Sequence, residues 1–98
     1  MSKSYYSDYT QHCIRFYIRY PKATFKTLSD KHNWDACKKA YEKLDKNKQE
    51  IIHYLFWERD TLPDNIYQIS KQKNISQKLV WEIIQDFEKM VAINRGLI

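Results

Sequence analysis

Between Asp64 and Asn94, apolar residues fall at steps of three and four on both sides of a short polar break. Ile66 and Ile69 precede the break Asn74-Ile75-Ser76, and Val80, Ile83, Ile84 and Phe87 follow it. Each run is one face of an amphipathic helix, and a break of three residues leaves two such helices no choice but to turn sharply. Ser70 supplies a small side chain where the helices cross, and Asn74 tolerates the left-handed conformation that a tight turn demands. The spacing therefore predicts a helix-turn-helix, and the rest of the fold has to support it.

Ninety-eight residues make one domain. One glycine and two prolines are too few for the turns of a sandwich or barrel, so the chain is predicted to be all-α, a compact five-helix domain. Helix 1 is expected from Ser7 to Tyr20, with Tyr6, Tyr9, Cys13, Phe16, Tyr17 and Tyr20 as its inner stripe and Pro21 as its stop. The Pro21 to Asn33 stretch reads as an irregular connector anchored by Phe25 and Leu28. Helix 2 is predicted to follow Asn33 as N-cap and run to about Leu44, packing Trp34, Cys37, Tyr41 and Leu44 inward. Helix 3 starts at the cap Asp45, buries Ile51, Ile52, Leu55 and Phe56, and gives way to a solvated Glu58-Arg59-Asp60 turn. Thr61, with Pro63 in the first turn and Asp64 three residues on, starts helix 4, which ends near Lys73. Ser76 caps helix 5, whose apolar positions Leu79, Val80, Ile83, Ile84, Phe87, Met90 and Val91 continue to about Asn94 before Gly96. Met90, Val91, Ile93, Leu97 and Ile98 exceed the need of one helix, and either cover helix 1 or form a homodimer seam.

Cys13 and Cys37 both lie on predicted apolar stripes, where reduced cysteine behaves as a small hydrophobe, an interhelical disulfide being the lesser alternative. His12, His32 and His53 are scattered without metal-ligand spacing, and His53 reads as a partly buried aromatic. No metal or cofactor is expected. There is no glycine-rich phosphate loop and no nucleophile with a base partner, so the chain does not read as an enzyme. Met1 to Tyr6 lacks the apolar run of a signal peptide and no segment has the length of a membrane span, so a cytoplasmic protein without a membrane partner is expected.

From Leu44 onward the chain resembles the DNA-binding region 4 of bacterial sigma factors and the sigma-like regulators of phages and other mobile elements. The resemblance rests on Leu44, the Lys48 to Trp57 helix, the Glu58 to Leu62 loop, Ile66 and Ile69 with Ser70, Asn74-Ile75-Ser76, and Val80 with Ile83. It divides the domain into helical support over 1–43 and a helix-turn-helix over 44–98. It implies a transcriptional regulator in which helix 5 enters the major groove of double-stranded DNA by its N-terminal end, with RNA polymerase as a partner. Ser76, Gln77, Lys78, Trp81, Glu82 and Gln85 would then face DNA. Ser76 can meet a phosphate, Gln77 an adenine, Lys78 a guanine or phosphate, and Trp81 a thymine methyl or sugar.

Charge bears on the same question. Residues 1–50 carry eleven Lys and Arg against six Asp and Glu, whereas residues 51–98 carry six of each. Phosphate attraction dominates DNA affinity, so a neutral reading head needs lysines from elsewhere. Lys38, Lys39, Lys43, Lys46 and Lys48, joined by Lys71 and Lys73, are the candidates, unless they are simply a solvated face. The neutral head leaves a second reading open, a protein-interaction module in which Trp81 and the exposed part of helix 5 bind a protein partner.

Overall fold

The computed structural model describes residues 6–20 and 25–98 and contains five α-helices: α1 (Ser7–Arg19), α2 (Leu28–Glu42), α3 (Lys46–Trp57), α4 (Leu62–Lys73) and α5 (Gln77–Arg95). Among the described residues there is no strand, and the fold is all-α. Four helices begin on a side-chain oxygen that accepts a backbone N–H three residues on. These pairs are Thr27 with Asp30, Asp45 with Lys48, Thr61 with Asp64, and Ser76 with Leu79. Each satisfies a donor that the first helical turn cannot.

Two helices end on left-handed residues, Asn74 with φ 54° and Gly96 with φ 78°. In both, the next residue's N–H reaches five back: Ile75 to the Ser70 carbonyl at 3.0 Å, and Leu97 to the Ala92 carbonyl at 2.8 Å. This is the Schellman closure, which pairs carbonyls a helix C-terminus would otherwise leave open.

The core joins Cys13, Ile14 and Ile18 of α1, Ala36, Cys37 and Ala40 of α2, Ile51, Ile52, Leu55 and Phe56 of α3, Leu62, Ile66 and Ile69 of α4, and Val80, Ile83, Ile84, Phe87 and Val91 of α5. α5 packs against all four other helices and most extensively along α2. α1 and α2 therefore both brace α5.

The predicted inner face of α1 is rotated. Tyr9 and Tyr20 are exposed at 41% and 58%, and Tyr6, Phe16 and Tyr17 are half-buried, while Ser7, Thr10, Gln11, Cys13, Ile14 and Ile18 are buried. Compact and β-branched side chains let α1 approach its neighbours closely, and the larger tyrosines lie to the side of that contact. The polar part of that face is satisfied: Ser7 Oγ and Gln11 Nε2 donate to the buried carboxylate of Glu88 at 2.9 and 3.0 Å. The predicted stop at Pro21 lies outside the described residues.

α2 starts at Leu28 under the Thr27 cap, not after Asn33. Leu28 is 68% exposed and anchors nothing, whereas Phe25 does pack, edge-on to Trp34 at 5.7 Å. Asn33 is buried inside the helix, its Nδ2 donating to the Tyr9 hydroxyl at 2.9 Å and its Oδ1 accepting from Arg95 Nε. The expected stripe of α2 turns inward: Cys37 is buried with Ala36 and Ala40, Tyr41 and Leu44 are half-buried and pack on the core, and Trp34 is half-buried. Leu79, at 44% exposure, and His53, exposed and stacked on Trp57, are also outside the core. At the end of α5, Val91 is buried and Met90 packs on the core, but Ile93 and Ile98 stay exposed.

Asn65 is buried in α4, and its Nδ2 lies 3.0, 3.3 and 3.2 Å from the carbonyl oxygens of Leu55, Glu58 and Asp60. Arg19 adds Nε to Phe56 O at 3.1 Å and Nη2 to Glu58 O at 3.3 Å. Together they close the C-terminus of α3 and shape the loop that aims α4. Asn65→Leu keeps the volume but strips these carbonyls of a donor, so urea unfolding is expected to show a loss of about 1–3 kcal/mol. An unchanged midpoint would mean that water replaces the amide.

Candidate nucleic-acid interface

α4 and α5 are joined by Asn74, Ile75 and Ser76. Ser70 is buried, and its hydroxyl donates to the Tyr67 carbonyl at 2.8 Å. Ile75 is half-buried and packs on the core, so it pins the turn. Val80, Ile83, Ile84 and Phe87 point inward. Helical geometry then turns Lys78, Glu82 and Gln85 away from that stripe.

Ser76, Gln77, Lys78 and Glu82 are all exposed, and Gln85 is half-exposed. Trp81 departs from that set. It is half-buried and leans on the core, with Leu79 the exposed apolar side chain beside it. The hydroxyl of Ser76 is held by the Leu79 N–H at 3.1 Å, at the positive end of the α5 dipole. An anion placed there meets backbone amides as well as Lys78.

The seven other candidate lysines do not form one patch. Lys71 Nζ sits over the exposed Tyr67 ring at 5.1 Å. Lys73, the last residue of α4, meets Glu50 of α3 at 2.8 Å. That hydrogen bond, then the charge of Lys73 and that of Lys46, hold the Glu50 carboxyl below the usual carboxylate range. Lys46 and Lys48 are exposed in the first turn of α3. On α2, Lys38 lies 3.9 Å from Glu42 and over the Trp34 ring at 5.6 Å, and Lys43 is exposed at the end of the helix. Lys39 shares a shallow depression with Asn94 and Arg95. That depression lies at the far end of α5, about 25 Å along the helix from Gln77. The lysines that the fold brings to the α4–α5 turn are Lys71, Lys73 and Lys78, with Lys46 close to the Glu50 that Lys73 binds.

Alongside α3 runs a depression of about 420 Å³, lined by Tyr41, Lys46, Gln49, Glu50, His53, Tyr54, Trp57 and Glu58. Among the described residues no group of three or more His, Cys, Asp or Glu could hold a metal, and no helix is long and apolar enough to cross a membrane. Glu50, Asn65, Asn33 and Glu88 are the polar residues that sequence reasoning missed. Glu50, Asn33 and Glu88 act on partners distant in sequence, and Asn65 on backbone carbonyls just before its own helix, and no helical spacing marks either kind of pair.

Cys13 and Cys37 are free and buried. Burial pushes the Cys13 thiol up to about 11 and raises that of Cys37 as well, so neither is a ready nucleophile. Burial also raises Tyr17 and Tyr41. An acid whose folded pKa is raised costs stability once the unfolded chain ionises first. Stability is therefore expected to be full below the ordinary thiol value of 9.0 and to fall as pH climbs from there to about 11. The fall is about 1.4 kcal/mol per pH unit for each thiol. Urea unfolding at pH 8 and pH 10 reads this, and a Cys13→Ala/Cys37→Ala variant that keeps the full slope would assign it elsewhere.

No protein-family model, curated protein or solved structure matches this chain.

Proposed function

We propose that this chain is a sequence-specific, double-stranded-DNA-binding transcriptional regulator of the phage or mobile-element type, with the N-terminal half of α5 as its reading element. One observation carries the reading. Lys78 and Glu82 stand exposed on the face of α5 opposite fully buried Val80 and Ile84, and Gln77 is exposed as the first residue of the helix. A rigid support with exposed polar side chains is what base-edge recognition requires. Gln77 pairs with adenine, Lys78 with guanine or a phosphate, and Glu82 accepts from the cytosine amino group. Ser76 and the first amides of α5 take a phosphate, and Lys71, Lys73 and Lys46 supply backbone charge. RNA polymerase enters as partner through the sigma-like resemblance alone.

Selection from a random duplex library across a salt titration tests this. Enrichment of one motif, with affinity falling steeply as salt rises, is the expected result. A second reading is favoured by the 44% exposure of Leu79 next to half-buried Trp81. Apolar surface at the tip of a reading helix suits a protein partner, and absence of DNA binding even at low salt would select that reading.

A further inference from the structure

Lys73 ends α4, immediately before the turn into α5, and its ammonium is bound to an acid of a third helix. The side chains of Lys73 and Glu50 are 31% and 51% exposed. A pair so open to water is weak and exchangeable, because solvent screens the attraction and two long side chains must be held still. The carboxylate also has a second cation nearby, since Lys46 acts on it from the first turn of α3. Glu50 can therefore release Lys73 without being left beside no positive charge.

We propose that Glu50 is an internal stand-in for a DNA phosphate, holding Lys73 in the unbound protein and ceding it to the nucleic-acid backbone on binding. This rests on the DNA-binding reading above. The chemistry of the two partners is alike: an anionic oxygen accepts from an ammonium in either state. The consequence is a lower affinity for DNA of any sequence than the lysines alone would give. Lys73 must break one ion pair to form another. Base contacts of α5 are untouched, so the device weakens binding generally and leaves discrimination to Gln77, Lys78 and Glu82.

The test is a double-substitution cycle on the full chain, read by fluorescence anisotropy with a labelled random-sequence duplex over a range of salt. Glu50→Gln is expected to bind about threefold tighter than wild type with nearly the same salt slope, because Lys73 meets a phosphate in both. Lys73→Gln is expected to bind more weakly, with a slope shallower by about one. In the Lys73→Gln background, Glu50→Gln is expected to gain nothing. A gain of the same size in both backgrounds makes Glu50 a mere long-range charge and overturns the proposal, as does no gain in either. If wild type binds the duplex with salt-dependent affinity, the DNA reading stands whatever Glu50 does. If wild type shows no salt-sensitive binding, both fall together.

Discussion

Val80→Asp is expected to abolish the cooperative thermal transition of this domain at neutral pH. Val80 is fully buried on α5 and belongs to the core cluster that includes Ile52 of α3 and Ile66 and Ile69 of α4. An ionised carboxylate there finds no cation, and the cost of several kcal/mol is comparable with the whole stability of a small domain. The penalty falls when the acid is protonated, so the variant should recover part of its helicity at low pH. Val80→Ala is the control. It removes two methyl groups without a charge, costs about 2 kcal/mol and leaves a folded protein. Far-UV circular dichroism melts separate the cases. A Val80→Asp protein that melts like wild type would mean that the inward face of α5 is misassigned, and with it every exposed residue on which the reading surface depends.

That dependence also explains what could be read from the sequence. The ends of α3, α4 and α5 were legible because their signals are local. Asp45, Thr61 and Ser76 each sit three residues from the amide they bind, and Asn74 and Gly96 hold the left-handed conformations that short polar side chains and glycine permit. The inward residues of α4 and α5 followed, because Ile66, Ile69, Val80, Ile83, Ile84 and Phe87 compete with no second apolar stripe. On α1 there are two overlapping stripes, the tyrosines and the set Thr10, Cys13, Ile14 and Ile18. Periodicity cannot choose between them, and close packing against α2, α3 and α5 chose the smaller side chains. On α2, Asn33 has the chemistry of a cap but spends it on Tyr9 and Arg95, and the true start at Thr27 was hidden behind an exposed leucine.

The exposed end of α5 was legible for the same reason as its core. Once Val80, Ile83 and Ile84 point inward, Lys78 and Glu82 have to point out, while Gln77 is exposed because it opens the helix, ahead of the first core residue on its stripe. Trp81 and Leu79 invert the expectation, because the larger side chain folds back on the core and the smaller one faces water. The placement of the candidate lysines was the least legible. Charge alone groups Lys38 and Lys39 with Lys46, but the fold puts Lys39 beside Asn94 and sends Lys73 to Glu50.

The double variant Gln77→Ala/Lys78→Ala is expected to lose about a hundredfold in affinity for a selected target duplex while its melting temperature stays within about two degrees of wild type. Both side chains are exposed and neither makes a contact on which α5 depends, whereas Ser76 stays in place to cap the helix. The single variants divide the loss by chemistry. Gln77→Ala removes a base contact, so it should weaken the target duplex, leave random-sequence DNA unaffected and keep the salt slope. Lys78→Ala removes a charge. If Lys78 meets a phosphate, binding should weaken equally on every sequence and the slope should drop by about one; if it meets guanine, the loss should concentrate on the target. Either pattern keeps α5 as the reader, because both losses arise at its N-terminal end. Target binding equal to wild type in the double variant would remove α5 from the DNA interface altogether, and the exposed Leu79 would then be the residue to test against a protein partner.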